Sequence, residues 1–320
     1  MHETDYTFAV ARIRANETKL LAPAQLSQLI AAADAAEVRR LLADRGWRMP
    51  EAGEKLDPAE AAMADAFALI ASCAPDPALP AALAVGNDFT NLKAALKCVF
   101  SDLDPAAYYV APALTDPDVL TKAITEAEFS LLPDYLQGPA QAAYQAVAEL
   151  HSGQKAELIL DKAALETRMA FAKKSGSALL QKITALAVLL SNLKIALRCR
   201  HMGKSDEFAL EAMAAGDPDP AALYAACKDP KSAAEFLEST PYAFLADAAG
   251  ESFTALEKAG DNAVTAMLQG VKYEIFGPDP LVAYYYAKLA ETKNARIILS
   301  AKAAGVPAQS IAERVREIYV

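Results

Sequence analysis

With 320 residues, the chain is too long to fold around one simple core. Because 54% of its residues are hydrophobic, it can bury a large apolar interior. Its formal net charge is −10, and an acidic chain is repelled by phosphate backbones, which argues against a nucleic-acid partner. Alanine supplies much of the apolar content and only 13 glycines are present, a composition that favours helices. We therefore predict an all-α fold.

The N-terminus, MHETDYTFAV, carries charge from its third residue and lacks the basic and apolar regions of a signal peptide. The longest apolar runs, such as ALAVLL at 185–190, are shorter than the roughly 20 residues that span a bilayer. We expect a soluble cytoplasmic chain that reaches a membrane only through a partner. The four cysteines, which form no C-x-x-C pair, fit a reducing compartment, and Cys98 and Cys199 are expected to be small buried thiols.

Asp-Pro pairs predict many of the helix starts. Asp caps a helix N-terminus and Pro suits the first helical position. The pairs begin at Asp57, Asp76, Asp104, Asp116, Asp217, Asp219, Asp229 and Asp279.

One motif occurs three times, about one hundred residues apart. Its copies are NLKAALKC at 91–98, NLKIALRC at 192–199 and, more loosely, NARIILSA at 294–301. Regular self-similarity of this kind indicates a repeated architecture.

Each copy is predicted to lie on a long helix. The N-cap residues Asp76, Ser177 and Asp279 all precede the motif Asn by 15 residues, which places three helix starts in phase with three motifs. Apolar residues at helical spacing, Leu92, Ala95, Leu96 and Val99 in the first copy, predict one buried stripe per helix. A second helical element precedes each long helix, at 56–71, at 160–175 and, more weakly, at 252–268.

These repeats predict three similar helical domains. We place their boundaries near the ends of the long helices, which gives repeat domain 1 at 1–103, repeat domain 2 at 104–204 and repeat domain 3 at 205–320.

The repeated motif contributes the main candidate site. It consists of the three motif asparagines and the cation two residues after each, namely Asn91, Lys93, Asn192, Lys194, Asn294 and Arg296. An Asn inside a helix is mildly unfavourable, so three in equivalent places suggest a shared role. One interpretation is a hydrogen bond between helices inside each unit. The other is that the units surround an axis and these side chains are axial or inter-domain polar positions.

Two acids extend this set, since Asp88 and Glu291 lie one turn before Asn91 and Asn294. They predict either a paired acid site or a polar face that makes domain-facing hydrogen bonds. Leu189 takes the place of the acid in the second copy, which weakens a shared chemical role.

No catalytic, cofactor or metal site is predicted. The three histidines, His2, His151 and His201, are not at metal-ligand spacing from one another. The GKS at 203–205 is not a P-loop, because Arg198 stands where that motif needs its first glycine.

Four stretches of the chain resemble one family: 5–21, NDFTNLKAALK at 87–97, SNLKIALR at 191–198, and the last 44 residues, 277–320, which begin GPDPL and end REIYV. Together they resemble the C subunits of the V/A-type ATP synthases, which are relatives of the d subunit of the eukaryotic V-ATPase. The ending is the most specific part.

The resemblance implies three helical domains around a pseudo-threefold axis, forming a funnel. It implies a non-catalytic adaptor that sits on the membrane rotor ring, receives the central stalk and couples their rotation during H⁺ or Na⁺ transport. Exposed apolar residues are then expected inside the funnel and polar contacts at the ring. Leu189, and Ala295 where the other copies have Leu, depart from exact threefold symmetry.

Two other classes of protein are less consistent with the sequence. A cytoplasmic helical scaffold unrelated to the rotary ATPase would normally have more numerous repeats of about 30–47 residues. An all-α enzyme with an acidic metal-binding cavity would need clustered Asp-rich motifs, and no D-D-x-x-D occurs.

Overall fold

The computed structural model describes residues 2–50 and 57–320, and it confirms the all-α fold: this part of the chain forms helices and no strand. Short 3₁₀ turns lie at Glu3–Tyr6, Pro105–Tyr108, Phe129–Leu131 and Ala243–Leu245. The α-helices, α1 to α16 in chain order, are Thr7–Glu17, Pro23–Ala31, Ala35–Ala43, Pro58–Cys73, Ala78–Phe100, Pro117–Thr125, Asp134–Ala148, Gly153–Lys174, Ala178–His201, Asp206–Ala212, Pro220–Ala226, Pro230–Glu238, Ala246–Glu251, Phe253–Gly270, Asp279–Ala303 and Ala308–Arg314.

The chain forms two compact units. The first combines residues 1–77, 177–180 and 254–320, and the second combines 78–176 and 181–253. Each unit therefore takes elements from more than one of the predicted repeat domains. The division at 103 and 204 stays a prediction.

The three motif copies lie on the long helices α5, α9 and α15, as predicted. The Ser177 hydroxyl accepts a hydrogen bond from the Leu180 amide at 2.9 Å and so caps α9. Helix α15 begins at Asp279, and α5 begins two residues after Asp76. The Asp279 carboxylate does not cap its own helix: it accepts from the Ser177 hydroxyl at 2.5 Å and the Leu179 amide at 3.2 Å.

Most of the other Asp-Pro pairs also begin helical segments. A side-chain oxygen of each of these aspartates accepts a hydrogen bond from a backbone amide in the first turn: Asp57, Asp104, Asp116, Asp219 and Asp229. The pair Asp217–Pro218 differs, because it forms a cis peptide bond outside any helix.

Each unit has a core built on a motif helix. In the first unit, Ala295 and Ile298 of α15 pack with residues of α2, α3 and α4 and with Trp47. In the second unit, Leu92 and Leu96 of α5 pack with residues of α6, α7 and α8. The motif helices also pack on the second elements, α5 on α8 and α15 on α4. The predicted second element at 56–71 corresponds to α4, while Leu56 lies outside the described residues.

The predicted apolar stripes are largely buried, including Leu92, Ala95 and Leu96 on α5 and Leu193 and Ala196 on α9. Val99 is half-buried. All four cysteines are free thiols, and Cys98 and Cys199 are buried as predicted.

Among the described residues, α9 is the helix whose length and composition would allow it to cross a membrane. Polar residues interrupt its apolar sequence, so the uninterrupted runs within it are short. Half of its most apolar 18-residue window is buried within the protein.

Candidate functional site

The three motif asparagines make the same contact in each copy. Each side chain is buried. It forms hydrogen bonds with both the backbone N–H and the backbone C=O of a single residue, which lies 19 to 22 positions later in the chain. Asn91 Nδ2 donates to Val110 O at 3.0 Å and Oδ1 accepts from Val110 N at 2.8 Å. The corresponding distances are 2.8 and 2.9 Å between Asn192 and Ala214. They are 2.9 and 2.7 Å between Asn294 and Arg316.

The local structure around these partners repeats as well. After each motif helix a short helical segment ends in an extended residue, which is Tyr109, Met213 or Val315. The next residue is the one that the Asn holds. An extended backbone with no neighbouring strand has unpaired N–H and C=O groups, and the primary amide of Asn supplies one donor and one acceptor for them. The interaction is therefore a bond from helix to extended segment, and not the predicted bond between helices.

The cations that follow two of the asparagines pair with equivalent acids. Lys93 on α5 forms an ion pair with Asp161 on α8. Arg296 on α15 contacts Asp57 Oδ2 through Nη2 at 2.6 Å and Nε at 3.0 Å, and Glu60 at 3.2 Å. Asp57 and Asp161 are the second residues of the aligned elements 56–71 and 160–175.

Lys194 is half-buried on α9. That the six candidate residues are axial or inter-domain polar positions stays a prediction.

Asp88 is completely buried and fixes the segment that precedes α6. Its carboxylate accepts hydrogen bonds from Leu114 N at 2.7 Å, Thr115 N at 3.3 Å and the Thr115 hydroxyl at 2.8 Å. It also accepts from the Tyr135 hydroxyl. Burial, and secondarily this bond, raises the pKa of Tyr135 above its ordinary value.

Glu291 has a similar function in the first unit. Its buried carboxylate accepts from Leu21 N at 2.5 Å and pairs with Lys288. Like Asp88, it holds backbone that lies next to the motif helix. These contacts favour the interpretation as anchoring hydrogen bonds over that of a paired acid site.

Within the described ranges, no three His, Cys, Asp or Glu residues are grouped so that they could hold a metal ion. The second unit has a cavity of about 400 Å³ between α8 and α10, whose lining mixes Lys155, Lys162 and Glu211 with Leu158 and Phe208. The Lys162 ammonium donates to Glu211 O at 3.1 Å and the Lys155 ammonium lies 3.6 Å from the Glu211 carboxylate, so both cations are already paired within the protein.

One surface feature was not predicted from the sequence. The connection between α14 and α15 exposes Tyr273, Ile275 and Phe276. A signal was available, because the corresponding connections in the other two copies are shorter.

Two comparisons relate the chain to known proteins. Residues 9–314 match the family described as ATP synthase (C/AC39) subunit. The C subunit of the V-type sodium ATPase of Enterococcus hirae is 24% identical over 260 residues, an alignment that covers 79% of each chain. The family match includes all three motif helices and the extended segments that follow the first two. The chain therefore belongs to the ATP synthase (C/AC39) subunit family.

Proposed function

We propose that this chain is a non-catalytic adaptor of a V/A-type rotary ATPase, which joins the rotating central stalk to the membrane rotor ring. The observation that carries the proposal is the family match over residues 9–314. A relative that is similar over most of its length is named as a subunit of a V-type sodium ATPase. The cation that moves, H⁺ or Na⁺, and the direction of the ATP reaction belong to other subunits.

The repeated contacts support a role that requires stiffness. A part that transmits torque must not yield at its connections, and closely packed interiors deform little. Asn91, Asn192 and Asn294 each hold an extended segment against a long helix, and Asp88 and Glu291 each add a further anchor. The irregular segments are thus fixed by hydrogen bonds to buried side chains.

We further propose that repeat domains 1–103, 104–204 and 205–320 surround a pseudo-threefold axis, as the resemblance implies. The recurrence of the Asn contact in all three copies supports this arrangement. The Lys93–Asp161 and Arg296–Asp57 pairs each join a motif helix to the second element of another repeat domain. In this arrangement the chain lies at the membrane through the rotor ring, and α9 belongs to the protein interior.

The proposal is tested by binding. The full chain is mixed with the purified central-stalk subunits of the same complex and studied by gel filtration with light scattering. We expect a complex that contains one copy of this chain for each stalk.

A matched control uses Asn192→Ala, which removes a buried contact and leaves the surface unchanged. If it binds the stalk as the natural chain does, the interaction is made by the surface of a folded chain. If the natural chain shows no complex with the stalk at micromolar concentration, and none with the ring and stalk together, the adaptor function is wrong.

A further inference from the structure

The connection before α15 is longer than its two counterparts. Residues 271–278 join α14 to α15, whereas 74–77 join α4 to α5 and 175–177 join α8 to α9. The third copy of the repeat therefore carries an insertion at the N-terminal end of its long helix.

The insertion presents apolar side chains to solvent. Tyr273 is 88% exposed, Ile275 61% and Phe276 43%. Val271, at the start of the same segment, is buried and attaches it to the first unit. Three large apolar side chains within four residues form an exposed apolar tip, a feature that marks interaction sites on soluble proteins.

The backbone of this tip is held in place from both ends of the chain. The guanidinium of Arg14 on α1 donates to Val271 O at 3.0 Å and to Glu274 O at 2.9 Å. Arg14 is itself fixed by Glu17 at 2.8 Å and by the hydroxyl of Tyr319 at 3.1 Å. Because the segment is already ordered, it loses little conformational entropy when it binds a partner. Aromatic side chains on such a segment are suited to act as anchors of an interface.

A bend at Gly277 ends the segment. Gly277 has φ +76°, in the left-handed region that glycine adopts without strain, and α15 starts two residues later. Lys272 is directed towards the protein, with its ammonium 5.4 Å from the centre of the Tyr319 ring.

We infer that the tip formed by Tyr273, Ile275 and Phe276 binds in an apolar recess of the central stalk. It thereby fixes the orientation of the stalk about its axis relative to this chain. The inference rests on the proposed function. Three similar repeat domains would offer a single shaft three nearly equivalent settings. An element that occurs in one copy alone removes that equivalence, because one setting gains contacts that the others lack.

Two other occupants fit less well. The tip carries one cation, Lys272, which faces the protein, and the chain has a net charge of −10, so an anionic membrane surface would repel it. A ring of identical subunits offers equivalent recesses, so seating the tip there would not select one rotational orientation.

The first experiment places a photo-crosslinking residue at the tip. The full chain with p-benzoylphenylalanine in place of Tyr273 is mixed with the purified central-stalk subunits and irradiated. We expect a covalent product with one stalk protein. If the two components co-elute but no such product forms, the inference is wrong while the proposed function stands. If the chain co-elutes neither with the stalk nor with the ring and stalk together, the proposed function is contradicted and the inference with it.

The second experiment removes the apolar tip. The variant Tyr273→Ser/Ile275→Ser/Phe276→Ser should bind the stalk roughly tenfold or more weakly, as expected for the loss of aromatic anchors, with an unchanged circular dichroism spectrum. The matched variant Phe8→Ser/Leu150→Ser/Met202→Ser, at three other exposed apolar positions, should bind as the natural chain does.

Three further outcomes would overturn the inference. One is equal stalk binding by the tip variant and the natural chain. Another is equal loss in the tip variant and the matched variant, which would indicate general apolar contact. The third is tip-dependent binding to vesicles of phosphatidylglycerol and phosphatidylcholine without any tip-dependent stalk binding.

Discussion

At the scale of single residues, buried Asn side chains form the hydrogen bonds that a neighbouring strand would form in a sheet. Asn192 satisfies both backbone groups of Ala214, and all of these atoms are buried. A buried donor or acceptor that loses its partner costs about 1–3 kcal/mol, because water cannot replace the bond. The contact is therefore worth more to the protein than the mild helix penalty of a mid-helix Asn.

We expect Asn192→Ala to lower the free energy of unfolding by on the order of 3 kcal/mol, since it leaves two buried backbone groups unpaired. Urea denaturation followed by circular dichroism measures the change. Asn16→Ala on α1, where the side chain is half-buried and bonds only to residues three or four positions away, is the control and should change stability little. A similar loss in both variants would contradict the role assigned to Asn192.

A second residue-scale prediction concerns Gly216, two residues after Ala214. A Cβ atom at this position would lie 2.7 Å from Val188 Cγ1, which is shorter than real contacts allow. We expect Gly216→Ala to destabilise the protein by about 1–3 kcal/mol through overpacking. Adding Val188→Ala removes the clashing methyl group, so the double variant should be less destabilised than the sum of the two single variants. Additive effects in denaturation experiments would show that the backbone moves freely there.

At the scale of helices, the motif helices are joined to the second elements by ion pairs that lie near the surface. Arg296 reaches from α15 to Asp57 and Glu60 at the start of α4, and its side chain is half exposed. Exposed pairs contribute roughly 0.2–1 kcal/mol, since water and salt screen them. The apolar stripe beneath this pair therefore holds α15 and α4 together. The ion pair favours one alignment of the two helices over others.

We expect Arg296→Ala to destabilise the protein by less than about 1 kcal/mol at low salt and to have a smaller effect near 1 M salt, where the Debye length falls to about 3 Å. Thermal unfolding at both salt concentrations measures this. Arg39→Ala, which removes an exposed cation of α3, is the control for the change in net charge. A loss above about 2 kcal/mol that persists in high salt would show that the Arg296 pair behaves as a buried one.

At the scale of the whole molecule, several acidic groups are buried in their neutral form. Burial is the main cause that raises the pKa of Tyr6 and of Tyr284 to about 12 and that of Cys227 to about 11. A group whose pKa is higher in the folded state keeps its proton where the unfolded chain has lost it. Stability is then complete below the unfolded pKa and falls as pH rises towards the folded one.

The free energy of unfolding should accordingly fall as pH rises from about 9 to 12, with Cys227 contributing between about 9 and 11. Urea denaturation at a series of pH values tests this. Cys227→Ala should flatten the fall between pH 9 and 11, and Cys73→Ala, at a half-exposed position, should flatten it less. An unchanged profile for Cys227→Ala would show that the thiol does not titrate differently in the folded state.

The sequence alone determined the element type, the repeat and most of the helix starts. These depend on local chemistry: alanine-rich helical periodicity, Asp or Ser caps and Pro in the first turn act within a few residues. The three copies of the motif, and the resemblance of the last 44 residues, also indicated the family before any contact was known.

The tertiary structure decided what the polar residues bond to. Asn294 meets Arg316, Asp279 meets Ser177, and Arg14 meets the connection at 271–274, over separations from 22 to more than 250 residues. No local pattern encodes these partners, because they depend on the path of the chain between them. The same holds for the tip at Tyr273, since apolar residues in a sequence look alike whether they are buried or exposed.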